Sequence, residues 1–347
     1  MPATRDATSS QTAPAPSAGA RESREMFYAE ALNDALRVEM QRDERVIVLG
    51  EDIGEHGGAF QVTANLLAEF GPTRILQTPI SEIGLVGTAV GAALTGMRPV
   101  AELMYIDFSG LAIDQIVNQA AQNRFMFGGQ ARVPLVVRTQ GGSGRGNAAQ
   151  HSKSLEAWFA HVAGLKVVMP STPADAKGLL ESAIRDDDPV MFIEHKLLYR
   201  TKGEVPTGEY LVPLGKADIK REGTDVTIVT WSREVLFSLE AAATLADEGI
   251  SAEVLDLRSL VPLDKNAILS SVRRTRRCLV VHEAIKRGGY GGEIAALVAE
   301  EAFDDLDAPP RRLAGLETPI PYAQPLELGV VPQAADIVRV TRELVHG

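Results

Sequence analysis

The run Val46-Ile47-Val48-Leu49 is apolar and rich in β-branched residues, and it lies between two stretches with helical spacing. The helical stretches cover residues 26–40 before it and residues 62–70 after it. A short, continuous apolar run of this kind predicts a strand that is buried on both faces. The alternation of such runs with helical stretches continues to residue 194. The pattern therefore predicts an α/β fold with a mostly parallel sheet covered by helices on both faces.

Residues 196–224 interrupt this alternation, because they are rich in Pro, Gly and charged side chains. We therefore predict two parallel-sheet domains, the first over residues 25–205 and the second, smaller one over residues 206–347. In the first domain the further predicted strands are 74–77, 99–104, 134–138, 165–169 and 190–194, and the helices are 81–95, 107–126 and 173–186. In the second domain the predicted strands are 226–230, 252–257 and 278–282, and the helices are 234–246, 264–272 and 292–303.

Residues 1–24 consist largely of Ala, Pro, Ser, Thr and Gln and show no apolar periodicity. Such a segment buries too little apolar surface to offset its ordering entropy, so we predict a disordered tail. A transit peptide is the alternative interpretation, since Arg5, Arg21 and Arg24 lie among serines and threonines. We expect a cytoplasmic protein, or one of the mitochondrial matrix if the tail is a transit peptide.

The overall charge limits the partners of the chain. It has 35 basic and 46 acidic residues, for a net charge of −11. This balance argues against binding to nucleic acid or to an anionic membrane, both of which require a basic surface. The single cysteine, Cys278, cannot form an internal disulfide bond. The longest nearly uncharged apolar run, residues 83–97, is too short and too rich in glycine to span a bilayer comfortably.

Glu82 begins a predicted helix directly after Thr78-Pro79-Ile80-Ser81. Pro79 favours an extended entry, and Ser81 is a suitable N-cap residue. From the pattern alone, the simpler interpretation is that Glu82 complements the helix dipole. The functional alternative is a carboxylate at the carboxyl edge of the sheet, where the apolar helix that follows would partly desolvate it.

A glycine-rich loop follows the predicted strand 134–138. It contains Gly141-Gly142-Ser143-Gly144-Arg145-Gly146 and leads to His151. The glycines allow unusual backbone dihedral angles or close approach to a ligand, whereas the ending of a phosphate-binding P-loop is absent. His151 could act as an acid, a base or a substrate-binding group, or it could be an incidental residue of a mobile loop.

Other patterns in the chain predict no further chemistry. Residues 288–292 contain four glycines but lack the spacing of a dinucleotide fingerprint, so a tight turn is the simpler interpretation. The histidines and the cysteine do not have the spacing of a structural zinc site, and there is no Gly-x-Ser-x-Gly nucleophile elbow.

Several motifs, taken in order, resemble the beta subunit of the thiamine diphosphate-dependent decarboxylating component of 2-oxo acid dehydrogenase complexes. The motifs that carry this resemblance are LGED at 49–52, PISEIG at 79–84, DQIVNQAA at 114–121, AQHS at 149–152, GLKVV at 164–168, DAKGLL at 175–180 and VHEA at 281–284. The resemblance covers residues 25–345 and implies a pyrimidine-binding domain followed by a transketolase C-terminal domain.

The resemblance also implies roles for individual residues. Glu82 would hydrogen-bond the aminopyrimidine ring of thiamine diphosphate, and Phe108 would stack on that ring with Tyr105 nearby. His151 would orient the substrate and handle a proton during acyl transfer to a lipoyl group. Glu51 would belong to an acidic path between paired active sites.

A potassium site, built mainly from carbonyl oxygens, is a further implication of the resemblance. It would fall on Leu135, Ala183, Ile184, Asp186 and Asp188, with Asp188 where close relatives are expected to have Asn. Oxygen ligands of this kind suit a hard cation.

The diphosphate and magnesium motif of the family, Gly-Asp-Gly followed by Asn-Asn, does not occur in the sequence. A diphosphate needs cations or a helix N-terminus to offset its charge. The resemblance therefore implies a separate alpha subunit that holds magnesium and half of the cofactor, in an α2β2 heterotetramer. It also implies docking on the subunit-binding domain of a lipoyl acyltransferase core.

The small-molecule substrate is predicted to be pyruvate or acetoin, from the stretches 126–129 and 194–199. The stretches 198–200 and 288–290 also resemble dehydrogenase subunits that act on branched-chain 2-oxo acids. A branched-chain 2-oxo acid is therefore the alternative substrate. A catalytically silent scaffold subunit and a self-sufficient transketolase-like enzyme are the other hypotheses. The absent Gly-Asp-Gly motif argues against the last of these.

Overall fold

A computed structural model describes residues 22–347. Its strands are β1 (Ser23–Phe27), β2 (Val46–Gly50), β3 (Ile75–Gln77), β4 (Arg98–Leu103), β5 (Val136–Gly141), β6 (Lys166–Val168), β7 (Val190–His195), β8 (Lys202–Pro206), β9 (Asp218–Arg221), β10 (Val226–Thr230), β11 (Ala252–Asp256), β12 (Ser259–Val261), β13 (Cys278–Ile285) and β14 (Arg311–Gly315). Its α-helices are α1 (Tyr28–Arg42), α2 (Leu66–Phe70), α3 (Glu82–Leu94), α4 (Ala121–Met126), α5 (Glu156–Ala160), α6 (Pro173–Arg185), α7 (Glu234–Asp247), α8 (Lys265–Thr275), α9 (Gly291–Glu301), α10 (Gln324–Val330) and α11 (Ala334–His346).

The first half of the chain forms a seven-stranded sheet in the order β12-β6-β7-β5-β4-β2-β3. All neighbouring strands are parallel except β12, which runs antiparallel to β6. Every residue of β2, β5 and β7 is buried, as expected for strands covered on both faces. The predicted α/β class and its mostly parallel sheet are therefore confirmed.

The second half forms a five-stranded sheet in the order β14-β13-β10-β11-β9. The first four strands are parallel, and β9 adds an antiparallel edge. Strand β10 begins and ends at the predicted residues, and β11, β13, α7 and α8 lie within a few residues of theirs.

The two halves share structure as well as sequence continuity. Strand β12 belongs to the second half of the chain, but it pairs with β6 of the first sheet. One hydrophobic core cluster also contains residues from both halves, among them Leu103 and Ile193 with Trp231 and Leu257. Neither half therefore buries its apolar surface without the other.

The prediction of one long helix over residues 107–126 is wrong. This segment contains a 3-10 helix at Ile106–Leu111, a π-helix at Gln115–Ala120, and then the short helix α4. The tight turns of the first and the wide turns of the second average to nearly the period of an α-helix, so apolar spacing could not separate them. The buried hydroxyl of Ser109 donates to the carbonyl of Ile106 at 2.6 Å within the tight turn.

The ends of the first domain also differ from the prediction. Strand β1 pairs antiparallel with β8 in a two-stranded ribbon, so Ser23 and Arg24 are not part of a disordered tail. Residues 1–21 of the predicted tail lie outside the described residues. Among the helices of the described part of the chain, none has both the length and the apolar character needed to cross a membrane.

Candidate active site

The carboxyl edge of the seven-stranded sheet collects the residues that the sequence analysis singled out. Glu51 follows β2, and Glu82 begins α3 shortly after β3. Tyr105 and Phe108 follow β4, and the loop to His151 leaves β5. Ligands of open parallel sheets bind at this edge, because the connections that shape a pocket start there.

Two carboxylates lie at the centre of this edge. Glu82 and Glu51 are each 8% exposed. Burial, followed by the negative charges of Glu82, Asp52 and Glu102, raises the pKa of Glu51. One oxygen of Glu51 is buried and has no hydrogen-bond partner among the described residues. Ser81 precedes α3 as predicted, but its hydroxyl makes no capping hydrogen bond, so the first helical turn keeps free backbone N–H groups.

Aromatic rings surround the imidazole of His151. Tyr105 and Phe108 approach it edge-on, with ring centroids 5.5 and 5.2 Å from its own. Phe60 lies edge-on to Tyr105 at 6.0 Å and stacks on Tyr199 at 4.4 Å. The structure therefore brings Tyr105, Phe108 and His151 into one cluster.

Lys196 contacts two members of this cluster. Its ammonium group donates a hydrogen bond to the carbonyl oxygen of His151 and lies 5.4 Å from the centroid of the Tyr105 ring. Burial lowers the pKa of Lys196 to about 8. A cavity of about 670 Å³ opens beside it, and its walls include Phe60, Arg145 and Arg200.

Two carboxylates of the second half, Glu283 and Glu327, contact the loop to His151 and were not predicted as site residues. The carboxylate of Glu283, at the end of β13, accepts from His195 Nε2 at 2.7 Å and from the Ser143 amide at 2.6 Å. Glu327 of α10 accepts from the amides of Gly144 and Gly146 at 2.6 and 2.9 Å. Nothing in the local sequence around Glu327 indicates this contact, because it joins residues 183 positions apart.

The five residues of the predicted potassium site do lie together, but their oxygens already have partners. Arg98 Nη1 donates to the carbonyl oxygens of Ile184 and Asp186, at 3.0 Å each. The other pairs, listed by acceptor, are the Ala183 carbonyl with the Asp186 amide, the Leu135 carbonyl with the Val190 amide, the Asp186 carboxylate with Lys166, and the Asp188 carboxylate with Arg124 and Lys166.

A cation at this place would compete with the Arg98 guanidinium for two of its carbonyl ligands. Each of these two carbonyl oxygens accepts from Arg98 in this structure, and no step of the chemistry is assigned to a potassium ion. Within residues 22–347, no group of three or more His, Cys, Asp or Glu side chains is arranged to hold a metal ion. Potassium stays a prediction from the resemblance.

Two family models match the chain. The model of the transketolase pyrimidine-binding domain matches residues 24–202, and the model of the transketolase C-terminal domain matches residues 215–337. Among solved structures, a split-gene transketolase described as an inactive beta4 tetramer is similar, with a TM-score of 0.76 and 24% identity. The match covers 92% of this chain and 98% of that one, and at this identity it shows the fold alone.

Curated relatives are similar over nearly the whole chain. The beta subunit of the acetoin:2,6-dichlorophenolindophenol oxidoreductase of Bacillus subtilis is 50% identical, over 93% of this chain and 98% of that protein. A mitochondrial pyruvate dehydrogenase E1 component subunit beta-2 of rice (Oryza sativa subsp. japonica) is 48% identical, over 93% and 87%. The 2-oxoisovalerate dehydrogenase subunit beta of B. subtilis is also 48% identical, over 92% and 99%.

Proposed function

The chain belongs to the family of beta subunits of thiamine diphosphate-dependent 2-oxo acid and acetoin dehydrogenases, and from this premise we propose that it acts on pyruvate or acetoin. The reaction would be oxidative decarboxylation or cleavage, followed by acyl transfer to a lipoyl group. Relatives with three different substrates have nearly equal identities of 48–50%. The choice of pyruvate or acetoin therefore rests on the sequence stretches 126–129 and 194–199.

The observation that carries this proposal is the placement of Glu82, Phe108 and His151 at one edge of the sheet. Glu82 is nearly buried at the start of α3, where a carboxylate can hold a hydrogen-bonding ring. Phe108 and His151 are in ring contact with each other. A silent scaffold subunit would have no need of a nearly buried carboxylate and an aromatic–imidazole contact at the same edge of the sheet.

The residues of this edge fit one half of the cofactor. Thiamine diphosphate, when bound, supplies the electron sink for cleavage of the bond next to the substrate carbonyl. In this chain Glu82 would hold the aminopyrimidine ring by a hydrogen bond, and Phe108 would stack on it beside Tyr105. The unpartnered buried oxygen of Glu51 leaves an acceptor available close to Glu82. His151 would orient the substrate and hold a proton for acyl transfer.

The diphosphate and its magnesium ion would be held by an alpha subunit in an α2β2 heterotetramer. Ile80 and Ile83 flank Glu82, and they are 79% and 52% exposed. Large apolar side chains beside a buried carboxylate support a partner surface at this place. Because the partner would complete the active site, this chain alone would be inactive.

Two further parts of the proposal concern the complex and its location. We propose that the C-terminal domain docks on the subunit-binding domain of a lipoyl acyltransferase core, aided by the net charge of −11. We place the protein in the cytoplasm, with the mitochondrial matrix as the alternative if residues 1–24 are a transit peptide.

Co-expression with an alpha subunit tests the function directly. We expect the purified pair to reduce an artificial electron acceptor with pyruvate or acetoin, and each subunit alone to give no turnover. The exchange Glu82→Gln removes the carboxylate but keeps the shape of the side chain. It should lower turnover by roughly 10²–10⁴-fold, the usual range for loss of a positioned acid or base.

The exposed Glu55 supplies the matched control, because Glu55→Gln removes the same charge from the neighbouring loop and should leave turnover unchanged. Full turnover of the Glu82→Gln pair would support a silent scaffold instead. Turnover only with 2-oxoisovalerate would move the assignment to a branched-chain substrate. Turnover of this chain without its partner would favour a self-sufficient enzyme.

A further inference from the structure

The loop that carries His151 is held by residues far away in the sequence. It leaves β5 at Gly141 and contains Gly142, Gly144 and Gly146, whose φ angles are +87°, +100° and +65°. Glycine has little preference for any one such conformation, so the loop sequence alone does not define its path. The contacts that its backbone amides make must therefore define that path.

Glu327 provides two of those contacts. Its side chain on α10 is fully buried, and its two oxygens accept from the Gly144 amide at 2.6 Å and the Gly146 amide at 2.9 Å. Because one oxygen serves each amide, the carboxylate fixes the spacing of the two residues between which Arg145 extends to the surface.

Glu283 provides the contact at the start of the loop. Its Oε1 accepts from the Ser143 amide at 2.6 Å, and its Oε2 accepts from His195 Nε2 at 2.7 Å. Burial alone would raise the pKa of Glu283, but His195 and the Ser143 amide lower it to about 2. The group is therefore a carboxylate at every pH at which an enzyme works, and it can only accept.

The backbone of the loop lies so close to His195 and Leu197 that it leaves no room for a side chain at Gly142 or Gly144. A Cβ atom on Gly142 would meet His195 Nε2 at 2.0 Å, and one on Gly144 would meet Leu197 Cδ1 at 2.3 Å. The glycines thus let the backbone lie directly on the end of β7, where the two carboxylates reach its amides. At the far end of the loop, Lys196 binds the carbonyl of His151.

We propose that Glu283 and Glu327, both supplied by the C-terminal half, are positioning residues that hold the His151 loop in its working conformation. They lie 140 and 183 residues from the amides they bind, so the C-terminal half determines where His151 stands. The catalytic consequence rests on the role of His151 under the proposed function, whereas the loop conformation itself does not.

The exchange Glu327→Gln tests the structural step on the full chain without any partner. A glutamine has one acceptor oxygen and would present its NH2 group to the second amide. Hydrogen–deuterium exchange, followed by mass spectrometry, should show the amides of peptides covering residues 142–150 exchanging roughly tenfold faster or more, as expected when a charge-assisted hydrogen bond is lost. Peptides from β10 and β13 should keep the wild-type rate.

Glu317→Gln is the matched control, since Glu317 lies in the same part of the chain and its half-exposed side chain pairs only with Arg287, at 3.4 Å. It should leave the exchange rate of the loop unchanged. Glu283→Gln is a second test variant, and it should speed exchange mainly at Ser143. Loop exchange at the wild-type rate in both test variants would overturn the proposal. Equal acceleration in β10, or in β13 of Glu327→Gln, would also overturn it, because the carboxylates would then have a merely structural role.

A double-mutant cycle in the assembled enzyme tests the catalytic consequence separately. If Glu327 acts through His151, Glu327→Gln should lower kcat in the wild-type background but not lower it further in a His151→Ala background. Additive losses would show that Glu327 does not act through His151. An enzyme without activity on any 2-oxo acid or acetoin would contradict the proposed function but would leave the exchange result intact.

Discussion

Glu51 and Glu283 have pKa values shifted in opposite directions, because their surroundings differ. Burial and neighbouring negative charges raise the pKa of Glu51. Glu283 is also buried, yet His195 and a backbone amide lower its pKa to about 2. A raised pKa means that a carboxyl takes up a proton more readily, whereas a lowered pKa keeps it ionised and able only to accept hydrogen bonds. This contrast distinguishes Glu51, a proposed site residue, from Glu283, a proposed positioning residue.

Local motifs pointed to candidate residues next to strand ends, but they could not predict contacts between residues far apart in the sequence. Pro79 and Ser81 marked Glu82 as the start of a helix at the sheet edge, but only the family resemblance implied its functional role. The glycine-rich loop made His151 a candidate, and its role also came from the resemblance. Glu327 was not a candidate, since its function depends on amides that only the folded chain brings to it.

His282 makes stability depend on pH. Burial and the nearby charge of Arg312 lower its pKa from 6.5 to about 4. Between these values the unfolded chain binds the extra proton, so the free energy of unfolding must fall as pH falls. We expect the wild type to lose about 2 kcal/mol more between pH 7 and pH 5 than His282→Gln, with 1.36 kcal/mol per pKa unit. Urea denaturation at both pH values measures this, and parallel losses in the two proteins would contradict it.

At the scale of elements, the strands were easier to predict than the segments between them. Mostly apolar runs identify β2, β7 and β10, because every residue of these strands is buried. The prediction for the segment 107–126 failed because its 3-10 and π turns have different periods that average out. Strands β1 and β8 also escaped, since a polar two-stranded ribbon has little apolar pattern.

A buried cluster of three charged side chains joins three strands of the first sheet. Arg138 of β5 is fully buried and bonds Glu194 of β7 at 2.6 and 2.8 Å and Glu102 of β4 at 2.8 Å. Arg138→Met would leave both carboxylates buried without a counter-ion, although Tyr199 and Gln140 still donate to them. We therefore expect a loss of about 3–5 kcal/mol in the free energy of unfolding.

Chemical denaturation measures this loss, and Arg132 gives the matched comparison. Its exposed guanidinium pairs with Asp187 at 2.6 Å, and Arg132→Met should cost less than about 1 kcal/mol. Equal losses in the two variants would show that burial does not decide the strength of the Arg138 contacts.

At the scale of the whole molecule, the two halves pack against each other, and we expect them to unfold as one cooperative unit. They share β12 and a common core cluster, and two carboxylates of the second half bind the loop of the first. The sequence predicted the α/β fold, which is confirmed, but it could not reveal that β12 pairs with the first sheet. Ser259–Val261 is too short to be distinguished from a connection by its composition.

Each half of the chain contains one tryptophan, and Trp231 lies in the core cluster that both halves share. Trp158 lies in the first half and Trp231 in the second. In the variants Trp231→Phe and Trp158→Phe, each with one remaining tryptophan, fluorescence should follow the same denaturant midpoint, because neither half can unfold alone. Two midpoints that differ by more than the shift in far-ultraviolet circular dichroism between the variants would show independent domains.

Strand β12 also bears on how such a chain can change by recombination. A crossover between two relatives at residues 206–215 would separate β6 from the strand that evolved to cover its edge, and the glycine loop from its carboxylate partners. Such hybrid genes should encode poorly folded products even when both parents are functional. The halves are therefore expected to be inherited together, as a single module with two sheets.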